Sequence, residues 1–317
     1  MGAPDWLTST HVAIVAGKGG VGSSTVAAAF ALAAAREGAD VLFVAVDGRP
    51  GMGPLLGGRE LDSNDRILRR IKGAGQVRGR TIPADQAFGD YLELRGVGGM
   101  LRRAASAASL PMIAAATPGL EHLLVLGKIK ELERERAADL IIVDAPPAGH
   151  AASFLRSATG LSDVVQSGPV RDQSVEVDEM LRDPARCQAM IVTLPEETPV
   201  TEALELANEL RSDIGLALMP AVVNSCWTDR PGLAKSPAMA ARSQKFTLSA
   251  SAKSALASST DFGRERLERQ RQQVQRLADG IGVPIVALPR LATPRLTLHH
   301  LGELADALVG PMLSGTS

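Results

Sequence analysis

The residues best suited to chemistry form a glycine-rich segment near the start of the chain, Gly17-Lys18-Gly19-Gly20-Val21-Gly22-Ser23-Ser24-Thr25. An apolar run precedes this segment and an alanine-rich run follows it, which predicts a strand, a turn and a helix in that order. Such a turn presents backbone N–H groups to an anion, and the helix N-terminus adds partial positive charge. We therefore predict a phosphate-binding loop made by Gly17, Gly19, Gly20, Val21, Gly22, Ser23, Ser24 and Thr25.

Position 23 departs from the usual pattern of such a loop. The pattern G-x-x-x-x-G-K-[ST] requires a lysine at that position, where this chain has Ser23. A lysine does occur earlier, at Lys18, directly after the first glycine. The interpretation of the loop depends on these two positions together.

Two aspartates end strands that are predicted to meet near this loop. Asp47 follows the strand predicted at 41–46, and Asp144 follows the strand predicted at 139–143. A strand-terminal aspartate and a loop hydroxyl are the groups that hold Mg²⁺ on a nucleotide in phosphate-binding-loop proteins. We predict Ser24 and Asp144 as the Mg²⁺ ligands and Asp47 as the group that orients a water for attack on the terminal phosphate. Taken singly, either aspartate could instead cap a strand end or a helix.

The elements that position these residues are predicted to form an α/β fold, a doubly wound and mostly parallel sheet with a helical insertion. Predicted strands cover residues 11–16, 41–46, 76–82, 139–143, 189–194, 218–223 and 285–288. Predicted helices cover residues 26–35, 84–94, 100–108, 119–136, 150–158, 173–183, 198–211, 261–279 and 296–308. Residues 1–317 are predicted to be a single domain, in which 84–136 is a helical subdomain and 228–260 is a mobile insertion.

Composition argues against several classes of function. The chain has 317 residues, a net charge of −1 and 3% aromatic residues, which gives no basis for a nucleic-acid-binding surface. Cys187 and Cys226 are neither adjacent nor a CxxC pair, so we predict no zinc site, no disulfide framework and a reducing, cytoplasmic environment. No run approaches the roughly 20 apolar residues that cross a bilayer. The charged segment 261–279 is predicted to be a surface helix rather than a nucleic-acid-binding arm.

The glycine loop and the segment that begins at Asp144 resemble those of the deviant phosphate-binding-loop ATPases. Lys18 after Gly17 is similar to the signature lysine of K-G-G-x-G-K-[ST], found in ArsA, MinD and ParA relatives. The segment 144–150, D-A-P-P-A-G-H, resembles the switch II motif D-T-A-P-T-G-H of the ArsA family, and its spacing favours ArsA over MinD. Further matches cover nearly the whole chain, at 118–121, 195–196, 201–202, 222–224 and 286–289. Residues 127–131 and 167–170 look most like the actinobacterial branch of anion-transporting ATPases.

The resemblance implies a dimeric ATPase that binds ATP or ADP with Mg²⁺. It implies that Lys18 reaches across the dimer to the partner's nucleotide, where it would stabilise charge in the transition state. It also implies that Asp47 belongs to switch I, although residues 48–51 depart from the family's D-P-A-H-S. By the same resemblance, adenine contacts fall on Asn224, Pro289, Arg290 and Leu291, and switch II positions on Pro147, Gly149 and His150.

Two functions remain open. The first is an ATPase whose nucleotide-dependent dimer, a homodimer or a heterodimer, drives a membrane partner or pump or handles membrane-protein clients. The second is a degenerate subunit that lends Lys18 in trans to an intact paralogue. The metalloid-binding cysteines of the arsenite pump and the CxxC zinc ligands of the eukaryotic tail-anchored-protein ATPases have no counterpart in this sequence. With Ser23 in place of lysine, we predict that the chain still binds nucleotide. We expect its hydrolysis to be about 100 to 1,000 times slower than with a lysine at this position.

Overall fold

The protein is organised around one central sheet. The computed structural model describes residues 4–46, 48, 50–94, 119–146, 148–164, 166–229, 232 and 235–313. In these residues the sheet has nine strands, β1 Val12–Gly17, β2 Asp40–Ala45, β3 Arg66–Arg70, β4 Gln76–Thr81, β5 Leu140–Asp144, β6 Cys187–Thr193, β7 Ala217–Leu218, β8 Ala221–Cys226 and β9 Ile285–Pro289. Their spatial order is β3-β4-β2-β5-β1-β6-β8-β9, with β7 beside β6. All neighbours are parallel except β3 and β4.

Helices cover both faces of the sheet, which confirms the predicted doubly wound α/β fold. One face carries α1 Ser23–Arg36, α2 Met52–Leu55 and α10 Leu298–Leu308. The opposite face carries α3 Ala84–Leu94, α4 Leu120–Arg134, α5 Ala148–Val164, α6 Pro169–Arg182, α7 Glu197–Glu209 and the C-terminal part of α9 Ala250–Ile281. A further helix, α8 Pro237–Ser243, packs against α9. No helix in the described part of the chain has the length and hydropathy that crossing a bilayer requires.

The strand and helix on either side of the glycine loop are among the most deeply buried parts of the molecule. Along β1, alternate residues enter different cores: Val12 and Ile14 face one helical layer, and Ala13 and Val15 face the other. A strand covered on both faces is therefore apolar throughout. All residues of α1 from Val26 to Ala35 are buried, because alanine side chains allow the helix to lie close to the sheet. Both ends of the loop are thus held by packed elements.

The elements that were not predicted from the sequence include β3 and α2. The antiparallel edge strand β3 has the sequence Arg-Ile-Leu-Arg-Arg, and only Leu68 in it is buried. An edge strand that buries one side chain in five does not produce an apolar run, so its pattern is weak. α2 is a single helical turn, in a part of the chain for which no helix was predicted.

The two segments predicted to stand apart from the main domain contain helices. In 84–136, both α3 and α4 contribute buried side chains such as Phe88 and Leu126 to the main core. The helix predicted at 100–108 lies outside the described residues, so a separate subdomain stays a prediction. The segment 228–260 contains α8 and the beginning of α9, and its mobility also stays a prediction.

Candidate functional site

The glycine loop connects β1 to α1 at the carboxyl edge of the sheet. β1 ends at Gly17 and α1 begins at Ser23. Gly20 and Gly22 have φ angles of 87° and 88°, a conformation that residues with a side chain rarely adopt. Gly22 is the N-cap of α1, so the last turn of the loop places the helix N-terminus directly after a left-handed residue.

The outer glycines of the loop, Gly17 and Gly22, lie close to other residues of the protein, and the middle ones, Gly19 and Gly20, do not. A Cβ atom at Gly17 would lie 2.5 Å from the backbone oxygen of Val192, and one at Gly22 would lie 2.5 Å from Nδ2 of Asn224. At Gly19 and Gly20 a Cβ atom would meet no described atom within 4 Å. The loop is therefore pinned at its ends and open in its middle, the form that a backbone cradle for an anion requires.

Ser23 occupies the loop position where the general pattern has a lysine. Its side chain is buried at the first residue of α1, so a hydroxyl stands where an ammonium group would be expected. Ser24 and Thr25 follow it in the first helical turn and are partly buried. Because the first N–H groups of a helix have no partner within it, these three residues present donors toward the loop.

Asp144 lies at the same edge of the sheet as the loop. It is the last residue of β5, it is buried, and it pairs in register with Val15 of β1. Its backbone oxygen accepts a hydrogen bond from the N–H of Val46 at 3.3 Å, which ties the end of β5 to the end of β2. Asp47 follows Val46 but lies outside the described residues, so its role as the water-positioning group stays a prediction.

Lys18 forms an ion pair within its own chain. Its Nζ lies 3.2 Å from Oε1 of Glu202, a residue of α7. The lysine side chain is about half exposed and the glutamate about a quarter exposed, so the pair lies on the surface beside the loop. To reach a nucleotide on another chain, Lys18 would have to leave Glu202.

Asn224 holds the loop from the side of β8. Its Nδ2 donates to the backbone oxygen of Val21 at 2.9 Å, and its Oδ1 accepts from the N–H of Ser225 at 2.8 Å. An amide has two donor hydrogens and two acceptor lone pairs, so one of each remains for a ligand. Ser225 has a φ of 59°, an uncommon value for a residue other than glycine, asparagine or aspartate.

A cavity of about 620 Å³ opens at Ser225, the residue after Asn224, at the ends of β6, β8 and β9. Trp227 lies in its wall, with the guanidinium carbon of Arg266 4.6 Å and that of Arg290 4.9 Å from the ring centre. The Gln270 side chain accepts from the N–H of Trp227 at 2.8 Å and donates to its backbone oxygen at 3.0 Å. The volume is within the usual range for a small-molecule site.

Sequence analysis missed Trp227, Arg266 and Gln270. Gln270 lies 43 residues after Trp227, and no local pattern connects positions so far apart. The available signal was Trp227 itself, one of two tryptophans in the chain and three residues after Asn224.

The three residues at the end of β9 that were predicted to contact adenine do not share one environment. Arg290 lines the cavity, and its N–H donates to the backbone oxygen of Cys226 at 2.7 Å. Pro289 pairs with Cys226 at the end of the β8–β9 ladder. Leu291 packs against the core on the α1 side of the sheet instead. The structure thus places Arg290 in one cavity with Ser225, the residue after Asn224, and Leu291 packs elsewhere.

The switch II segment begins at the end of β5. β5 ends at Asp144 and α5 begins at Ala148. Gly149 and His150 lie in the first turn of α5. Pro147 lies outside the described residues, so its switch role stays a prediction.

Neither cysteine has the properties of a reactive thiol. Cys187 is fully buried in β6, and burial raises the pKa of its thiol well above the usual range. Burial also raises the pKa of the Cys226 thiol, to about 11. Because the thiolate is the reactive form, both side chains act as small apolar groups near neutral pH.

A strand, glycine loop and helix at the carboxyl edge of a mostly parallel, doubly wound sheet define a phosphate-binding-loop α/β protein. Residues 10–56 match the family described as anion-transporting ATPase. ATPase BagA of Mycobacterium tuberculosis (strain H37Rv) is 36% identical over 233 residues, which cover 71% of this chain and 67% of that protein. The chain therefore belongs to the ArsA-type ATPase family.

More distant relatives include the arsenical pump-driving ATPases of Acidiphilium multivorum and Escherichia coli. They are 28% and 27% identical, over 65% and 61% of this chain. The matched part covers 33% and 31% of those ATPases, so this chain corresponds to about a third of their length.

Proposed function

We propose that the chain binds ATP or ADP with Mg²⁺ and acts as an ATPase whose nucleotide-dependent dimer drives a membrane partner or handles membrane-protein clients. The observation that carries the proposal is the loop pinned by Val192 and Asn224 and open at Gly19 and Gly20. Membership of an ATPase family supports the nucleotide as the anion that fills this loop.

Each part of the nucleotide has a matching set of groups. Backbone N–H groups of 19–25 would hold the β- and γ-phosphates at the positive end of α1. The hydroxyl of Ser24 and the carboxylate of Asp144 are oxygen donors of the kind that Mg²⁺ prefers, and they would hold it at the sheet edge. When bound there, Mg²⁺ neutralises charge on the phosphate oxygens. The base would enter the cavity lined by Ser225, Trp227 and Arg290.

The dimer is supported by the place of Lys18. Its side chain, from the second residue of the loop, lies at the surface on Glu202. An exposed ion pair of this kind contributes little free energy, about 0 to 1 kcal/mol, so exchanging Glu202 for a partner's phosphate costs little. In that position Lys18 would stabilise charge that develops during phosphoryl transfer in the other subunit.

A second function is favoured by the buried hydroxyl at Ser23. With no cation at this position, the chain loses one stabilising group for its own nucleotide, although Lys18 is kept. The chain would then serve as a degenerate subunit that binds nucleotide, turns it over slowly and supplies Lys18 in trans to an intact paralogue. The two functions differ in which subunit carries out hydrolysis.

Calorimetry and steady-state turnover on the purified chain test both functions. We expect binding of MgATP and MgADP, weakened in the Asp144→Asn variant, and slow hydrolysis by the chain alone. Light scattering should show a dimer with MgATP and less of it without. A complete lack of nucleotide binding would refute both functions.

Mixing with an intact paralogue separates the two. A degenerate subunit should raise the turnover of the mixture, and Lys18→Ala should abolish the gain. Hydrolysis at rates ordinary for the family by this chain alone would exclude the degenerate subunit.

A further inference from the structure

The segment 237–262, here called the helical arm, buries none of its own residues. It consists of α8, the connection 244–249 and the first part of α9. The buried residues of α9 are Leu267, Leu277 and Ile281, all beyond the arm. Most stable helices in folded proteins bury an apolar face. Without such a face, α8 and the first part of α9 are held mainly by their contacts with each other and by the continuation of α9 into the protein.

The arm concentrates the exposed apolar side chains of the protein. Among the described residues, seven large apolar side chains are exposed, and four of them lie in the arm, namely Met239 (62%), Phe246 (65%), Leu256 (45%) and Phe262 (63%). Phe262 also lines the cavity beside Trp227, so Met239, Phe246 and Leu256 are the ones that lie away from that cavity. Single exposed apolar residues are ordinary on a protein surface, but four within 24 residues of a segment that buries none of its side chains make this segment the place to look for an interaction.

The arm and the residues just before it also carry an excess of positive charge. Residues 235–260 contain Lys235, Arg242, Lys245 and Lys253 and have no aspartate or glutamate, whereas the other residues of the chain contain 30 basic and 35 acidic side chains. Asp261 is the one acidic residue of the arm. None of the four lies within ion-pair distance of a carboxylate in the described residues. The arm is therefore a basic segment in a chain of net charge −1. Residues 66–84 are also basic, but Arg66, Arg78 and Arg80 form ion pairs with nearby aspartates.

We propose that the helical arm docks on an anionic lipid surface. Basic side chains interleaved with phenylalanine, leucine and methionine are the composition of segments that lie in the interface of a bilayer. Each lysine or arginine near the headgroups is attracted by the negative surface potential, and the apolar side chains enter the acyl boundary. The positive charge of the arm and of Lys235 just before it complements the negative charge of such a surface.

Flotation of the full-length chain with vesicles tests the proposal. We expect binding to vesicles that contain about 30 mol % phosphatidylglycerol and much weaker binding to pure phosphatidylcholine. Binding should be lost at about 0.5 M NaCl, where the Debye length is only a few ångströms.

Two pairs of variants separate the arm from the rest of the surface. Lys245→Gln with Lys253→Gln should reduce binding by about tenfold or more, and Lys72→Gln, in the exposed β3–β4 turn, should not. Phe246→Ser should reduce binding by about tenfold, and Ile67→Ser, at an exposed position of β3, should not. Because the arm buries none of its residues, these variants should keep the circular dichroism spectrum of the parent chain.

Three results would overturn the proposal. One is a lack of binding to phosphatidylglycerol vesicles at low salt. Another is equal binding by the parent chain and the arm variants. The third is that the chain does not bind vesicles but forms a dimer that Phe246→Ser disrupts. That result would assign the arm to contact with a second copy of the chain.

Discussion

The glycine loop and the cavity at Trp227 lie side by side at one edge of the sheet but are built in different ways. The loop uses backbone: its shape comes from glycines at positive φ and from two packed elements, β1 and α1. The cavity uses side chains from β8, α9 and the segment after β9, held by Gln270 and by two guanidinium groups over one ring. We expect substitutions in the loop to alter phosphate chemistry and those in the cavity to alter affinity for the base.

The largest expected effect concerns position 23. In Ser23→Lys, a cation returns beside the β- and γ-phosphates, and turnover should rise about 100- to 1,000-fold. Steady-state release of phosphate measures the change. The double variant Ser23→Lys with Ser24→Ala is the control, because it lacks the hydroxyl assigned to Mg²⁺ and should lose most of the gain. If Ser23→Lys binds MgATP and its turnover stays at the parent level, the loop is not limited by the missing lysine.

The next effect separates the pinned and the open glycines. Gly22→Ala places a Cβ 2.5 Å from Asn224 Nδ2 at a φ of 88°, so affinity for MgADP should fall about tenfold. Gly19→Ala is the matched control, since its Cβ meets nothing within 4 Å. Calorimetry should show a much smaller loss for the control. Equal losses in both variants would mean that the pinned ends do not set the shape of the loop.

A smaller effect is expected in the cavity. Arg266→Ala removes one guanidinium group from the Trp227 ring, and affinity for ATP should fall about fivefold while affinity for inorganic triphosphate stays unchanged. Arg276→Ala, on an exposed part of the same helix, is the control. Tryptophan fluorescence should report nucleotide binding in the parent chain, and Trp227→Phe should lose that signal. If ATP and triphosphate are affected equally, the base does not enter this cavity.

The smallest effect is expected at the ion pair between Lys18 and Glu202. In Glu202→Gln the lysine loses a surface partner, and the nucleotide-dependent dimer should become about two- to threefold tighter. Sedimentation at several protein concentrations measures the change. Glu205→Gln, on the same helix, should leave the dimer unchanged. A weaker dimer in Glu202→Gln would show that Glu202 contributes to the interface rather than competing for Lys18.

The loop is made by consecutive residues and the cavity by residues far apart in the sequence, and this difference explains what the sequence could predict. The loop lies within nine consecutive residues between two apolar runs, so residues 17–25 and the parallel strands around them were predictable from local pattern. The strand at β3 was not, because one buried leucine among arginines has no period. Trp227 and Gln270 are brought together only by the fold, and the Lys18–Glu202 pair likewise joins a loop to a helix far along the chain. Asp47 and Pro147 lie outside the described residues, and their roles stay predictions.

The pairing of Gln270 with the backbone of Trp227 has a mechanical consequence. It fastens α9, a helix of 32 residues, to the end of β8 at a point about 20 residues from the helix N-terminus. At 1.5 Å per residue, that distance is about 30 Å, so a rotation of about 5° at Gln270 moves Ala250 by roughly 3 Å. A change of well under an ångström beside the cavity would therefore become a displacement of several ångströms at the N-terminal end of α9, within the helical arm.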